Sequence, residues 1–202
     1  MAFEIELKAW VDDRGAVEQR MHALADLTAD YEKEDRYWIP VLPQGERSAA
    51  SVSGVRIRRE TATARDGAVE SVTLVTYKAK EVRGSMEIND EKEFSVKAPP
   101  GGGAGGAEAA LGAFEGLLEM LGLKPGMSKK KRGRSWKYGN ITVELSDVEG
   151  LGCFLELEIL ADDDEPETVE LARRSLLGLL GLTGVSEDRI ETRYYNEMLA
   201  EL

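Results

Sequence analysis

Two acids and a base occupy alternate positions of the segment Glu4-Ile5-Glu6-Leu7-Lys8. Side chains of a β-strand point alternately to opposite faces, so Glu4, Glu6 and Lys8 share one surface and Phe3, Ile5 and Leu7 the other. One half-exposed strand with a solvated charged face would look the same. The pattern returns, however: Arg56 and Arg58 flank Ile57, Arg132 and Arg134 flank Gly133, and Glu156 and Glu158 flank Leu157, one sign to each pair. A sheet closed into a barrel, with its aliphatic face outward under helices and its charged face inward, would gather both signs around a lumen. Such a lumen suits a metal-bound polyphosphate. Arginine forks and lysine ammoniums hold phosphate oxygens, and carboxylates tolerate phosphate only with a divalent cation between them.

Composition narrows the field. At 202 residues the chain is long enough for one domain with a substantial core, and 42% hydrophobic with 32% charged residues is ordinary for a soluble globular protein. Thirty-eight acids against 26 bases give a formal charge of −12, opposite to the footprint of a protein that wraps nucleic acid. The run Lys129 to Arg134 also lacks interleaved aromatic residues, although Trp136 and Tyr138 follow it. An acidic exterior with local basic groups fits a small anionic ligand, and it leaves room for a homodimer. Cys153 has no partner for an intrachain disulfide, and neither an N-terminal leader nor an apolar run near 18 residues is present. A cytoplasmic protein with no membrane partner is the expectation. The single histidine, His22, lies in a helical stretch and reads as a surface or helix-packing residue. Sites with two or three histidine ligands are excluded, so a metal would be held mainly by oxygen, which points to magnesium or manganese.

Eight strands must position these charges. They are expected at about Glu4–Lys8, Lys33–Ile39, Gly54–Thr61, Val69–Lys80, Met86–Val96, Lys129–Tyr138, Ile141–Val148 and Cys153–Leu160. Arg65-Asp66-Gly67 and Gly139-Asn140 mark tight turns, and Pro43 to Ser53 reads as a polar loop. In the fourth strand Thr76, Lys78 and Lys80 share one parity with Leu74, but both faces carry apolar residues, so parity alone leaves the inward face open. Helical spacing predicts helices near Val17–Leu27, Ala107–Leu121, from Pro166 through Leu180, and over Thr192–Leu202 with Tyr195, Met198, Leu199 and Leu202 on one face. The Gly/Pro-rich stretch 98–106 behaves as a linker between two halves of a single domain spanning 1–202. The expected fold is α+β, an eight-stranded antiparallel β-barrel with flanking helices.

The Glu4-x-Glu6-x-Lys8 opening resembles the signature of the CYTH superfamily, the triphosphate tunnel enzymes that include class IV adenylyl cyclases, thiamine triphosphatases and inorganic triphosphatases. Val55-Arg56-Ile57-Arg58 resembles its paired-arginine strand, and Thr73-Leu74-Val75-Thr76-Tyr77-Lys78 its strand ending in a substrate lysine. Arg132-Gly133-Arg134, Val143 to Val148 and Gly150 to Glu158 are similar to the closing strands, the last in its class IV cyclase-like form. Arg193-Tyr194-Tyr195 is similar to a C-terminal Arg-Ser-Tyr element, and Asn89 stands where relatives often carry arginine.

The resemblance implies a small-molecule triphosphate (ATP, tripolyphosphate or thiamine triphosphate) bound by Lys8, Arg56, Arg58, Lys78, Arg132, Arg134 and Arg193. It implies Mg2+ or Mn2+ held by Glu4, Glu6, Asp147, Glu156 and Glu158. A cyclase of the class IV type, giving cyclic AMP and pyrophosphate, is the reading taken forward. An inorganic or thiamine triphosphatase, or a binder without turnover, would use the same charges.

Overall fold

A computed structural model describes residues 3–41, 54–98 and 105–202, and the polar loop and most of the Gly/Pro-rich stretch read from the sequence lie outside them. In chain order the elements are β1 (Phe3–Trp10), α1 (Arg14–Leu24), β2 (Asp26–Pro40), β3 (Val55–Ala64), β4 (Val69–Arg83), β5 (Met86–Ser95), α2 (Gly106–Met120), β6 (Leu123–Tyr138), β7 (Ile141–Val148), β8 (Gly152–Ala161), α3 (Pro166–Thr183) and α4 (Tyr195–Leu199). The strands close into an antiparallel barrel in the order β1-β5-β4-β3-β2-β6-β7-β8. The α+β barrel expected from the alternating charges is therefore the fold.

Alternation decides which side chains go where. Ile5 and Leu7 of β1, Val143 and Leu145 of β7, and Leu155, Leu157 and Ile159 of β8 form the outer aliphatic face. That face packs under Val17 and Met21 of α1 and Val169, Ala172, Leu176 and Leu180 of α3. A second cluster joins Trp38, Ile57 and Val75 to Leu111 and Leu118 of α2. α1 and α3 are placed by local chemistry as well. The Asp13 carboxylate accepts from the Ala16 amide at the start of α1, at 3.0 Å. Pro166 opens α3, and Gly184 closes it in the left-handed region at φ 75°.

Three elements differ from the sequence expectation. β2 and β6 run to 15 and 16 residues, well beyond the stretches read from alternation, because they pair with each other along most of their length. Two register shifts, between Leu27 and Ala29 and between Arg36 and Trp38, interrupt that pairing. The C-terminal helix is only five residues long; Tyr195 and Met198 are buried, while Leu202 is 82% exposed and takes no part.

The opposite end of that C-terminal segment meets the barrel interior. Trp10, Val148 and Phe154 pack with Tyr195 and Met198 into an apolar stopper. Phe154 lies 4.1 Å from Trp10 and 5.0 Å from Tyr195 between ring centroids.

Gly133 of β6 marks the tightest point of the wall. It faces Tyr31 across the β2–β6 pairing, and a Cβ there would fall 2.3 Å from the Leu145 carbonyl oxygen and 2.9 Å from the Tyr31 hydroxyl. Gly116 in α2 has nothing within 4 Å of the same added atom. Gly133→Ala is thus expected to cost about 1–3 kcal/mol by overpacking. Gly116→Ala should stabilise by about 0.4–1 kcal/mol. Urea unfolding of the two variants checks both signs.

Candidate functional site

Inward-facing side chains surround a cavity of about 860 Å³. Glu4, Glu6 and Lys8 of β1, Arg56 and Arg58 of β3, and Glu156 and Glu158 of β8 all line it, as their spacing predicts, and so does Lys78 of β4, which the family resemblance rather than parity singles out. The structure also brings in groups that sequence reading left out: Lys33, Glu60, Glu87, Glu91, Glu93, Lys129, Lys131 and Glu144. In total nine glutamates and seven cationic side chains face the cavity among the described residues.

Four residues read from the sequence as ligand contacts stand elsewhere. Arg134 binds Glu18 and, at 2.7 Å, Asp30 on the outer surface. Asp147 is also outside, 3.2 Å from Arg14, and Arg132 lies with it in a separate surface groove along β2, β3, β6 and β7. Arg193 turns its guanidinium to Glu191 at 2.6 Å and Glu201 at 2.9 Å, and only its carbonyl meets the site, accepting from Lys8 at 2.7 Å. The physical reason in β6 and β7 is parity. Trp136 and Val143 are fully buried on the outer face, which fixes Arg132, Arg134 and Asp147 on that same side. Their alternates Lys129, Lys131 and Glu144 point inward.

Inside, the charges are paired unevenly. Asp35, with no exposed surface, accepts both nitrogens of the Arg58 fork at 2.7 and 3.0 Å and lies 3.1 Å from the Lys129 ammonium. Burial pushes its carboxyl up, but Lys129 and Arg58 together hold it well below the usual range. Lys131 bridges Glu156 and Glu144, and Lys33 also meets Glu144. Burial is again outweighed there, with Lys131 holding Glu156 at about 2. Lys8 bonds Glu87 at 3.1 Å and lies over the Tyr195 ring.

The corner where β1, β5 and β8 meet behaves differently. Lys78 is shared by Glu4 at 2.5 Å, Glu91 at 3.2 Å and Glu6 at 3.8 Å. Glu6 and Glu158 face each other directly across the β1–β8 pairing. Burial raises Glu6 to about 7 against the pull of Lys78, and Glu4 adds to the rise. Burial, then the charges of Glu4 and Glu6, raise Glu158 to about 8. Among the described residues, Lys78 alone does not neutralise this corner.

A divalent cation fits that shortage. The donors are carboxylate oxygens only, as magnesium or manganese prefers, and they are crowded enough to resist ionising without it. Among the described residues no three acidic, histidine or cysteine side chains converge as a ready-made cage, and Glu4 is engaged by Lys78.

His22 sits outside the barrel on α1, its ring edge-on to Trp136 at 5.4 Å, as a helix-packing residue. Cys153 is a partly buried free thiol near Arg14. Among the described residues no helix is long and apolar enough to cross a membrane.

The model of the CYTH domain matches residues 2–195. The chain belongs to the CYTH family. A Methanocaldococcus jannaschii protein named "putative adenylate cyclase" is 24% identical, with 96% of this chain and 97% of that protein covered. The solved structure of a Pyrococcus horikoshii protein is 26% identical, covers 96% of this chain and 98% of its own, and superposes with a TM-score of 0.68. The fold extends to a Hippeastrum protein described as a "putative adenylyl cyclase" with a dominant triphosphatase activity; it is 13% identical over all of this chain and 96% of its own, with a TM-score of 0.64.

The raised carboxyls make a stability prediction for this CYTH protein free of metal. Glu6 and Glu158 bind protons in the folded state at pH values where the unfolded chain has released them, so their contribution is complete below about pH 4.5 and lost as pH rises toward 8. The groups facing Glu158 that set this are Glu4, Glu6, Glu144 and Lys78. The melting temperature of metal-free protein should fall across that range. Glu158→Gln should flatten the fall and raise the melting temperature at pH 8 by a few degrees in thermal scans.

Proposed function

We propose that the chain is a divalent-metal-dependent enzyme that takes the triphosphate of ATP into the barrel and converts it to cyclic AMP and pyrophosphate. The observation that carries this reading is the lumen itself, a charged cavity in which, among the described residues, carboxylates outnumber cations nine to seven. A triphosphate brings several more negative charges and enters such a low-dielectric space only with cations beside it.

The residues divide by sign. Lys8, Arg56 and Lys78 supply donors to phosphate oxygens, and Lys33, Arg58, Lys129 and Lys131 supply positive potential from the opposite wall, where their carboxylate partners hold them in place. Glu4, Glu6 and Glu158 would hold the cation. Magnesium or manganese bound there neutralises charge that develops on the phosphates during transfer. Trp10, Phe154 and Tyr195 exclude water from the stoppered end. Tyr37, Ile39, Leu74 and Met127 give the cavity an apolar and aromatic lining beside the charges, which suits the nucleoside part of a nucleotide. The name of the Methanocaldococcus jannaschii relative is in keeping with this.

Hydrolysis is the second reading. The charged groups run through the lumen independently of the apolar lining, and bare tripolyphosphate or thiamine triphosphate would meet the same cations.

Phosphorus NMR of ATP, and separately of tripolyphosphate, with the protein and magnesium or manganese tests both. Cyclic AMP with pyrophosphate is the expected product. Orthophosphate would instead establish a triphosphatase, and binding without any product would sink the enzymatic reading. The placement of β6 is tested alongside: Lys131→Met should lower turnover by about tenfold or more, whereas Arg134→Met on the outer face should retain it.

A further inference from the structure

Asn89 of β5 has no exposed surface, and neither its Nδ2 nor its Oδ1 has a hydrogen-bond partner among the described residues. It shares the inward face of β5 with Glu87, Glu91 and Glu93, and pairs directly with Glu4 of β1. Lys78 lies between Glu4, which pairs with Asn89 across β1 and β5, and Glu91, two residues along β5. Glu4 and Glu91 line the cavity, while Asn89 on the same inward face is fully covered. A buried amide with both atoms unpaired is less stable than an isosteric leucine, and such a group in a folded interior requires a reason. The reason lies in what surrounds it. A ligand that draws the Lys78 ammonium onto phosphate and the Glu4 carboxylate onto a cation removes the donor that Glu4 and Glu91 now share.

We infer that Asn89 is a positioning residue for the cation-holding corner: once Lys78 is engaged by phosphate, the Asn89 Nδ2–H would donate to the Glu4 carboxylate and hold it toward the cation. This rests on the proposed metal-dependent binding of a triphosphate. It assigns to Asn89 neither the phosphate nor the reacting atoms. An amide orients Glu4 without adding a charge, which leaves the corner short of positive charge and dependent on the metal.

The test uses the full chain with manganese chloride and tripolyphosphate. Calorimetry gives the affinity for the pair, and electron paramagnetic resonance counts bound Mn2+. Asn89→Leu should weaken Mn2+ retention about 10- to 100-fold, the range for a group that orients a metal ligand. Its metal-free melting temperature should be unchanged or higher, because no hydrogen bond is lost. A merely structural amide would do the reverse, lowering the melting temperature and leaving Mn2+ affinity alone. If Asn89→Leu does not fold, the wild-type protein still decides: its Asn89 side-chain amide signals should shift and gain protection from exchange on saturation with magnesium and tripolyphosphate. Unmoved signals, or a leucine variant that binds as tightly as wild type, would overturn the assignment while leaving the proposed function standing. Wild-type protein that binds no tripolyphosphate with metal would overturn both.

Discussion

Charges withdrawn from water must find partners, and the interior of this barrel is arranged by that requirement. Asp35 is its fixed point. The Arg58 fork and Lys129 converge on it from β3 and β6, so one buried carboxylate ties three neighbouring strands through their inward side chains. Lys131, Glu144 and Glu156 extend the same solution to β7 and β8. Along this wall Asp35, Glu144 and Glu156 are each held low by an ammonium or guanidinium beside them. Around Lys78, in the corner where Glu6 pairs with Glu158, Glu4, Glu6 and Glu158 are held high. The described interior thus has a satisfied region and a deficient corner.

Such an interior does not stabilise the fold by itself. Pairing buried charges roughly offsets the cost of dehydrating them, so the net stabilisation comes from the outer face of the same strands. Ile5, Leu7, Val143, Leu145, Leu155 and Leu157 are all buried under α1 and α3, and closure of the barrel leaves no unpaired edge. The two faces of one strand therefore carry separate tasks. β1 shows it most plainly, with Ile5 and Leu7 holding the fold together while Glu4, Glu6 and Lys8 face the cavity.

This division also explains how much could be read without a structure. Where a helix covers a strand, the outer face is aliphatic and alternation reveals the inner one: β1 and β8 were readable in full, and with them five of the charges that line the cavity. β7 held the same information. Val143, Leu145 and Asp147 share a parity, so the two aliphatic residues mark Asp147 as outward and Glu144 as inward. In β6 the run Lys129 to Arg134 places cations at both parities, and composition cannot choose between them. Trp136 can, because a large apolar ring on the parity of Arg132 and Arg134 belongs to the packed outer face. Gly133 on the opposite parity agrees, since it is small where the Tyr31 hydroxyl crowds the interior.

β2 marks where that logic stops. Its inner face carries Lys33, Asp35 and Tyr37, and its outer face carries Glu32, Glu34 and Arg36 before Trp38 reaches the packing of α2. Over most of its length the outer face meets water, as the exposure of Glu32, Glu34 and Arg36 shows, so nothing there forces it to be apolar. Both faces are then polar, the alternation loses its contrast, and Asp35 looks like any surface acid. The residue that anchors the buried charge network is hidden in sequence for the same reason that its strand needs it: with no aliphatic face to pack over that stretch, β2 is held to β3 and β6 from the inside by Arg58 and Lys129.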